Sequence, residues 1–303
     1  MGAHASPPGS ASRSGPRDLP LRLRLRLHHA ALQGVARETG LRVLHVKGDA
    51  APPGLYREGR STSDADVLVE PARAEEYLAA LHAAGWRIMT HFETGSHFQH
   101  AAVLVHEELG QADVHRHFPG PHLSHEEMFT TLWASRTERA IAHVLCPVPD
   151  DLDHAALILT HTARDRARGA ADLRSLEEWA GPERFDRIVQ RCRDWGAGTA
   201  ADLALGLPVA PSAYPDDALW AMEDREVDRL GRWLARWRAA DSWPGRVGLV
   251  RSTIGINRDH LRMQLGHEPS PAEIRAAHRE RLAEMARNAL ARVKPGTRGG
   301  ATP

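Results

Sequence analysis

VKGDAAPPGLYREGRSTSDADVLV, residues 46–69, decides the fold. An apolar run ends at Lys47-Gly48, a loop rich in proline and glycine follows, and a second apolar run starts with Asp64 and Asp66. Side chains alternate faces along a strand, so both aspartates point to the same side. Like charges that close repel unless a cation neutralises them, and a hard divalent ion with oxygen ligands is the usual solution. Taken alone, the pair is also read as a loop end capping a strand; a motif this short does not decide.

Two neighbours strengthen the metal reading. Lys47 and Lys294 are the chain's two lysines; every other member of the Lys/Arg class is arginine. A lysine kept in that background, next to a glycine that lets backbone approach a phosphate, reads as a phosphate contact. Lys47 is therefore expected to serve nucleotide affinity rather than folding, with its head near Gly48 and the metals. Downstream, Asp113 lies in QADVH, a strand-like run that sets His115 on the same face. Asp64, Asp66 and Asp113 together would hold one or two Mg²⁺ or Mn²⁺ ions. The ions would bridge triphosphate oxygens and offset charge on a pyrophosphate leaving group. Lys47, Gly48 and Ser63 would line the phosphate side, and Asp113 would help deprotonate an acceptor hydroxyl.

Around this stretch the pattern alternates strands and helices. Strand-like runs occupy LRVLHV (41–46), DADVLV (64–69), WRIMTHF (86–92), HFQHAAVLV (97–105) and QADVH (111–115), and RAIAHVLCPVP predicts one more. The segment 19–38 predicts a helix despite its Leu/Arg alternation, closed by Gly40, and PARAEEYLAALHAAG predicts another. From Asp150 onward the patterns are helical: Leu152, Ala156, Leu159 and Ala163 share a face, as do Val227, Leu230, Leu234 and Trp237. Ser270 to Glu273 reads as a capping box opening a last helix to about Val293.

These motifs resemble the bacterial uncharacterised nucleotidyltransferases, within the superfamily whose core is similar to DNA polymerase beta. Such proteins look like an apolar strand ending in Lys-Gly, a tyrosine, Arg-x-x-x-Asp-x-Asp with a second strand, then Val-Asp-x-His. Here these are Lys47-Gly48, Tyr56, Arg60 through Asp64-Ala65-Asp66, and Asp113-Val114-His115. Weaker likeness runs through HEEMFTTLW and LDHAALILTHTARDR to about Trp179. The resemblance implies an α/β (α+β) fold, a mixed sheet with flanking helices over 18–148, and the helical patterns beyond it predict a mainly helical domain over 149–293. By composition, residues 1–17 and 294–303 would be disordered flanks. It also implies transfer of a nucleoside monophosphate from an NTP, with Arg60 and His115 joining Lys47, Gly48 and Ser63 around the nucleotide. Two departures stand out. Asp49 follows Gly48 where the wider superfamily has Ser or Gly after the first glycine, and Arg116 replaces a tryptophan that often follows the histidine.

Composition narrows the partners. With 39 basic and 39 acidic residues the formal charge is +0, which supplies no general pull toward nucleic acid and makes a long nucleic-acid acceptor unlikely. No apolar run reaches the about 20 residues that span a bilayer, and no secretory leader is visible, so a cytoplasmic protein is expected. Cys146 and Cys192 cannot form a disulfide framework. The histidines at 115, 117, 122 and 125 lack the cysteines or HExxH spacing of zinc sites. His161 and Asp172 read as helix-packing residues before cleft residues. The acceptor, a small molecule, sugar or peptide, stays open. So do two other readings: a phosphotransferase on the same fold, and a non-catalytic nucleotide-binding regulator of the toxin–antitoxin type.

Overall fold

The computed structural model describes residues 16–209 except 58, 61, 96, 97 and 165; residues 220, 237, 238, 243, 246 and 247; and residues 256–293 except 266. Residues 1–15, Val227, Leu230, Leu234 and the tail 294–303 lie outside this set, and so do the expectations placed on them. Residues 16 and 17 belong to a short 3-10 turn, Pro16–Asp18.

Helix α1 (Leu21–Thr39) buries Leu25, His28, His29, Leu32, Val35 and Ala36, a three-and-four spacing that overrides the Leu/Arg alternation at its start. Gly40 caps it in the left-handed conformation. Strands β1 (Val43–Val46) and β2 (Asp64–Val69) follow, then helix α2 (Ala74–Ala83), β3 (Arg87–Thr90), the single turn α3 (Phe92–Gly95), β4 (Ala101–His106) and β5 (Gly110–His115). The sheet runs β1-β2-β5-β4-β3. It is mixed: β2 and β5 are parallel, and every other neighbouring pair is antiparallel.

Period-2 alternation sorts the sheet residues. Val43, Ala65, Val67, Val69, Ala112 and Val114 face α1 and α2 in one apolar cluster. Leu44, Val46 and Leu68 face the other way, and on that face they pack with Phe129, Leu132, Leu157, Ile158, Cys192 and Trp195. These partners come from α4 (His125–Ser135), α5 (Asp151–Thr162), α6 (Arg166–Asp194) and the turn after it. One apolar cluster thus spans the sheet and the helices beyond residue 149. Ser124 and Glu127 cap α4 reciprocally.

Where one strand was expected in RAIAHVLCPVP there are two, β6 (Thr137–Ile141) and β7 (Val144–Val148), paired antiparallel. Ala142 and His143 both take positive φ, 46° and 64°, the backbone of a two-residue hairpin turn. Neither residue favours that conformation, so no glycine or asparagine signals the break. Helix α6 is interrupted at Gly181 (φ 66°, ψ 171°), immediately before Pro182. Then come α7 (Gly198–Ala204), α8 (Arg258–Leu265) and α9 (Pro271–Val293). Ser270 and Glu273 form the expected capping box of α9. Arg262 in α8 donates to the carbonyls of Ile88 and Met89, covering the edge strand β3. Among the described residues, no helix is long and apolar enough to cross a membrane.

Gly169 sets how closely α6 approaches α5. A Cβ there would stand 2.3 Å from the Thr162 carbonyl oxygen, inside any permitted contact. Gly169→Ala should force the helices apart and cost about 1–3 kcal/mol, read as a lower urea midpoint. An unchanged midpoint would show that the two helices slide apart freely.

Candidate active site

The pairing of β2 with β5 does the first work. Their parallel register sets Asp64 beside Gln111, Asp66 beside Asp113 and Leu68 beside His115. With period 2, Asp64, Asp66, Asp113 and His115 all lie on the sheet face that α5 and α6 cover. The three aspartates border a pocket of about 640 Å³, lined also by Lys47, Arg60, Ser63, His161, Gly169 and Asp172, and His115 lies behind Asp66.

Asp66 is the hub. Its Oδ1 accepts from Lys47 Nζ at 2.5 Å and from His115 Nε2 at 2.8 Å. The Lys47 and Asp66 side chains are only 9% and 6% exposed. Burial favours the neutral acid at Asp66, yet the Lys47 ammonium and the His115 bond outweigh it and hold the carboxyl well below its usual range. His115 is pushed down to about 4 by burial and by Lys47, so its ring is neutral. A neutral ring that donates from Nε2 has a bare Nδ1, and that atom is buried with no hydrogen-bond partner among the described residues.

Asp113 has no cation on it. Among the described residues it accepts only from Gln111 Nε2, at 3.0 Å. Burial and the Asp66 and Asp64 charges push its carboxyl up to about 7. Asp64 is raised too, by burial and then by Asp66. One ligand atom from each of Asp66, Asp113 and His115 lies within 4.8 Å of the others. Asp64 is outside this tight group and lies farther along the same pocket. A divalent cation fits the donor set: two carboxylates and an imidazole offer ligand atoms within 4.8 Å of one another, and one of the carboxylates has no neutralising partner among the described residues.

Lys47 brings its head beside the expected metal ligands, and it does so as the partner of one of them. Its ammonium is committed to Asp66, and its backbone has φ 57° and ψ −171°, a region that side chains strongly disfavour. The backbone is held there by an Nε2 acceptor on His154, which takes the Lys47 N–H at 2.9 Å. Gly48 follows with φ 45°, and a Cβ on it would meet Thr62 Cγ2 at 3.3 Å. It lines an adjoining cleft rather than the carboxylate pocket.

Arg60 also has partners. Its Nε and Nη2 grip both oxygens of Asp172 at 2.8 and 2.9 Å, and its guanidinium lies 3.9 Å from the Tyr56 ring centre. Asp172 and His161 therefore wall the pocket instead of serving only helix packing. The Lys47 charge, then burial, holds His161 well below its ordinary value. Arg57 and Thr62, which line the pocket as well, carry no sequence signal except their place in the loop before Asp64.

The family model that matches the chain, over residues 22–210, is described as an uncharacterised nucleotidyltransferase. No curated protein matches. Among solved structures the chain is similar to the antibiotic-resistance factor ANT(2'')-Ia in solution, at 15% identity and a TM-score of 0.40, covering 56% of this chain and 91% of that one. ANT(2'')-Ia in complex with adenylyl-2''-tobramycin gives 15% identity and 0.39, with 56% and 97% covered. The lincomycin-bound lincosamide antibiotic adenylyltransferase LnuA gives 17% identity and 0.36, with 50% and 94% covered.

Two outcomes follow from the electrostatics. Lys47→Ala strands a buried Asp66 charge and should lower stability by about 3–5 kcal/mol in urea denaturation, which a purely phosphate-binding lysine would not. Asp113 has a raised folded pKa, so its contribution to stability is whole below the unfolded value and is lost as pH rises to the folded one. In chelator, the stability gained by Asp113→Asn should therefore grow from about pH 4, near the unfolded pKa, to about pH 7, and level off above. A gain independent of pH across that window would show that Asp113 is already neutralised.

Proposed function

The chain belongs to the uncharacterised nucleotidyltransferase family, and from that premise we propose that it moves a nucleoside monophosphate from an NTP to a small-molecule, sugar or peptide acceptor in a Mg²⁺- or Mn²⁺-dependent reaction. The observation that carries the reading is the register of Asp66 against Asp113 on parallel neighbouring strands, with Asp64 on the same face. A degenerate binding fold has no chemical need for three carboxylates in one pocket.

Asp64, Asp66 and Asp113 would hold the metal, a His115 ring nitrogen being another donor close by, and the metal would supply positive charge to the triphosphate oxygens. The remaining steps belong to the chain. The acceptor oxygen attacks the α-phosphorus, the bond from that phosphorus to the bridging oxygen of the β-phosphate breaks, and pyrophosphate leaves. Asp113 accepts the proton of an acceptor hydroxyl that lies within hydrogen-bond reach. Asp66, kept ionised, fixes Lys47 and His115 on one oxygen and leaves the other for a ligand.

Lys47, Ser63 and Gly48 would border the phosphates, Lys47 by exchanging part of its Asp66 contact for a phosphate oxygen. Arg60 would reach the nucleotide through Nη1, which has no hydrogen-bond partner among the described residues, while Asp172 and Tyr56 keep its plane fixed. His161 and Asp172 would form the wall opposite the sheet.

The test uses NTPs labelled at the α or the γ position, incubated with cell-extract metabolites as acceptors. Label retained in product from the α position alone, and lost both in excess chelator and in Asp66→Asn, is the expected result. Transfer of γ label would mark a phosphotransferase, and full turnover by Asp66→Asn would contradict the assignment.

A further inference from the structure

Beside the carboxylate pocket opens a second cleft of about 920 Å³, and the two share Leu21, Arg57, Arg60 and Thr62 along their border. Its charge is opposite. Among the described residues its lining carries Arg22, Arg26, Arg57, Arg60 and Arg139 against a single carboxylate, Asp49. Three of these arginines have acidic partners: Arg22 with Asp49 at 3.3 Å, Arg60 with Asp172, and Arg139 with Asp151 at 3.4 Å. Arg139 is held further by the carbonyls of Ala50 and Ala51. Arg26 and Arg57 make no ion pair or side-chain hydrogen bond with any described residue. They approach the cleft from different parts of the fold, Arg26 from α1 one turn beyond Arg22, and Arg57 from the loop before β2.

In a chain whose basic and acidic residues number 39 each, five guanidinium groups facing one cleft are a local excess, and two unpaired ones leave it net positive. A concave site lined this way selects an anion, and the fork of arginine suits phosphate oxygens. We propose that this cleft is a binding site for a phosphate or diphosphate group, held chiefly by Arg26 and Arg57. Naming the anion as phosphate rests on the nucleotidyl-transfer reading, whose donor and leaving group both carry phosphates. The group can come from two sources: the β- and γ-phosphates of the donor nucleotide, or a phosphate carried by the acceptor. Either would lie next to the carboxylate pocket, across the border that Arg57 and Arg60 form.

The experiment is a calorimetric titration of inorganic pyrophosphate, in chelator, into the parent chain, Arg57→Gln, and the double variant Arg26→Gln/Arg57→Gln. Neither side chain has a partner to lose, so thermal melts should be unchanged; the single variant in the loop keeps the test open if the double one melts early. Pyrophosphate should bind the parent and bind the double variant about ten- to a hundredfold more weakly, the loss expected for hydrogen bonds to a charged group. The salt dependence should become shallower as well. No pyrophosphate binding by the parent, or equal affinity in the variants, overturns the proposal.

The source is read from a second titration with Mg²⁺. Weaker NTP binding with unchanged NMP binding places the donor's β- and γ-phosphates in the cleft. Unchanged NTP binding, with pyrophosphate binding still weakened, assigns it to a phosphorylated acceptor. Absence of Mg²⁺-dependent NTP binding in the parent would count against the nucleotidyl-transfer reading and leave the chelator result standing on its own.

Discussion

Two carboxylates held side by side on parallel strands are the constraint that the rest of the structure answers. Asp66 and Asp113 are fixed opposite each other by backbone hydrogen bonds, so they cannot separate to relieve their repulsion. At an effective dielectric of about 20, charges 4 Å apart repel by about 4 kcal/mol, a large fraction of a domain's stability. The chain resolves this unevenly. Asp66 receives the Lys47 ammonium and a histidine bond, and Asp113 receives neither. One carboxylate stays ionised and the other is driven toward its neutral form, an asymmetry that suits acid–base roles.

The helical half supplies the other side of that arrangement. Because the aspartates share their sheet face with Leu44, Val46 and Leu68, the apolar cluster that docks α5 and α6 also brings His161 and Asp172 over the carboxylates. Asp172 ties down Arg60, and Trp179 Nε1 donates to the Pro53 carbonyl at 3.1 Å, so α6 fixes the loop between β1 and β2 at two points. A loop of that length would otherwise be the least constrained part of the pocket. Close approach at Gly169 is what allows the geometry.

Much of this was legible in the sequence because it depends on local periodicity. Asp64 and Asp66 two apart in an apolar run had to share a face, and Asp113 and His115 likewise; the helix ends at Gly40 and the cap at Ser270 follow from backbone preferences. What was not legible depends on contacts far apart in the chain. That Lys47 would neutralise Asp66 rather than stand free, that Arg60 would find Asp172, and that His161 would face the pocket are consequences of how α5 and α6 pack. The tight donor group also includes His115, which periodicity set on the right face without giving its distance, while Asp64 lies farther out. The β6–β7 hairpin escaped notice because Ala142 and His143 turn without the residues that usually announce a turn. The arginines of α1 alternate with leucines at the start of the expected helix, and that pattern gave no hint of a cleft.

The central claim is that the Asp66–Asp113 pair exists to take a cation together with a triphosphate. Its most direct test is an anomalous-scattering map from crystals grown with Mn²⁺ and a non-hydrolysable NTP. The account predicts a peak within direct coordination distance, about 2.0–2.6 Å, of oxygens from both Asp66 and Asp113, with the Lys47 ammonium shifted toward phosphate. A triphosphate bound elsewhere, or Lys47 still closed on Asp66 with no peak beside Asp113, would contradict it.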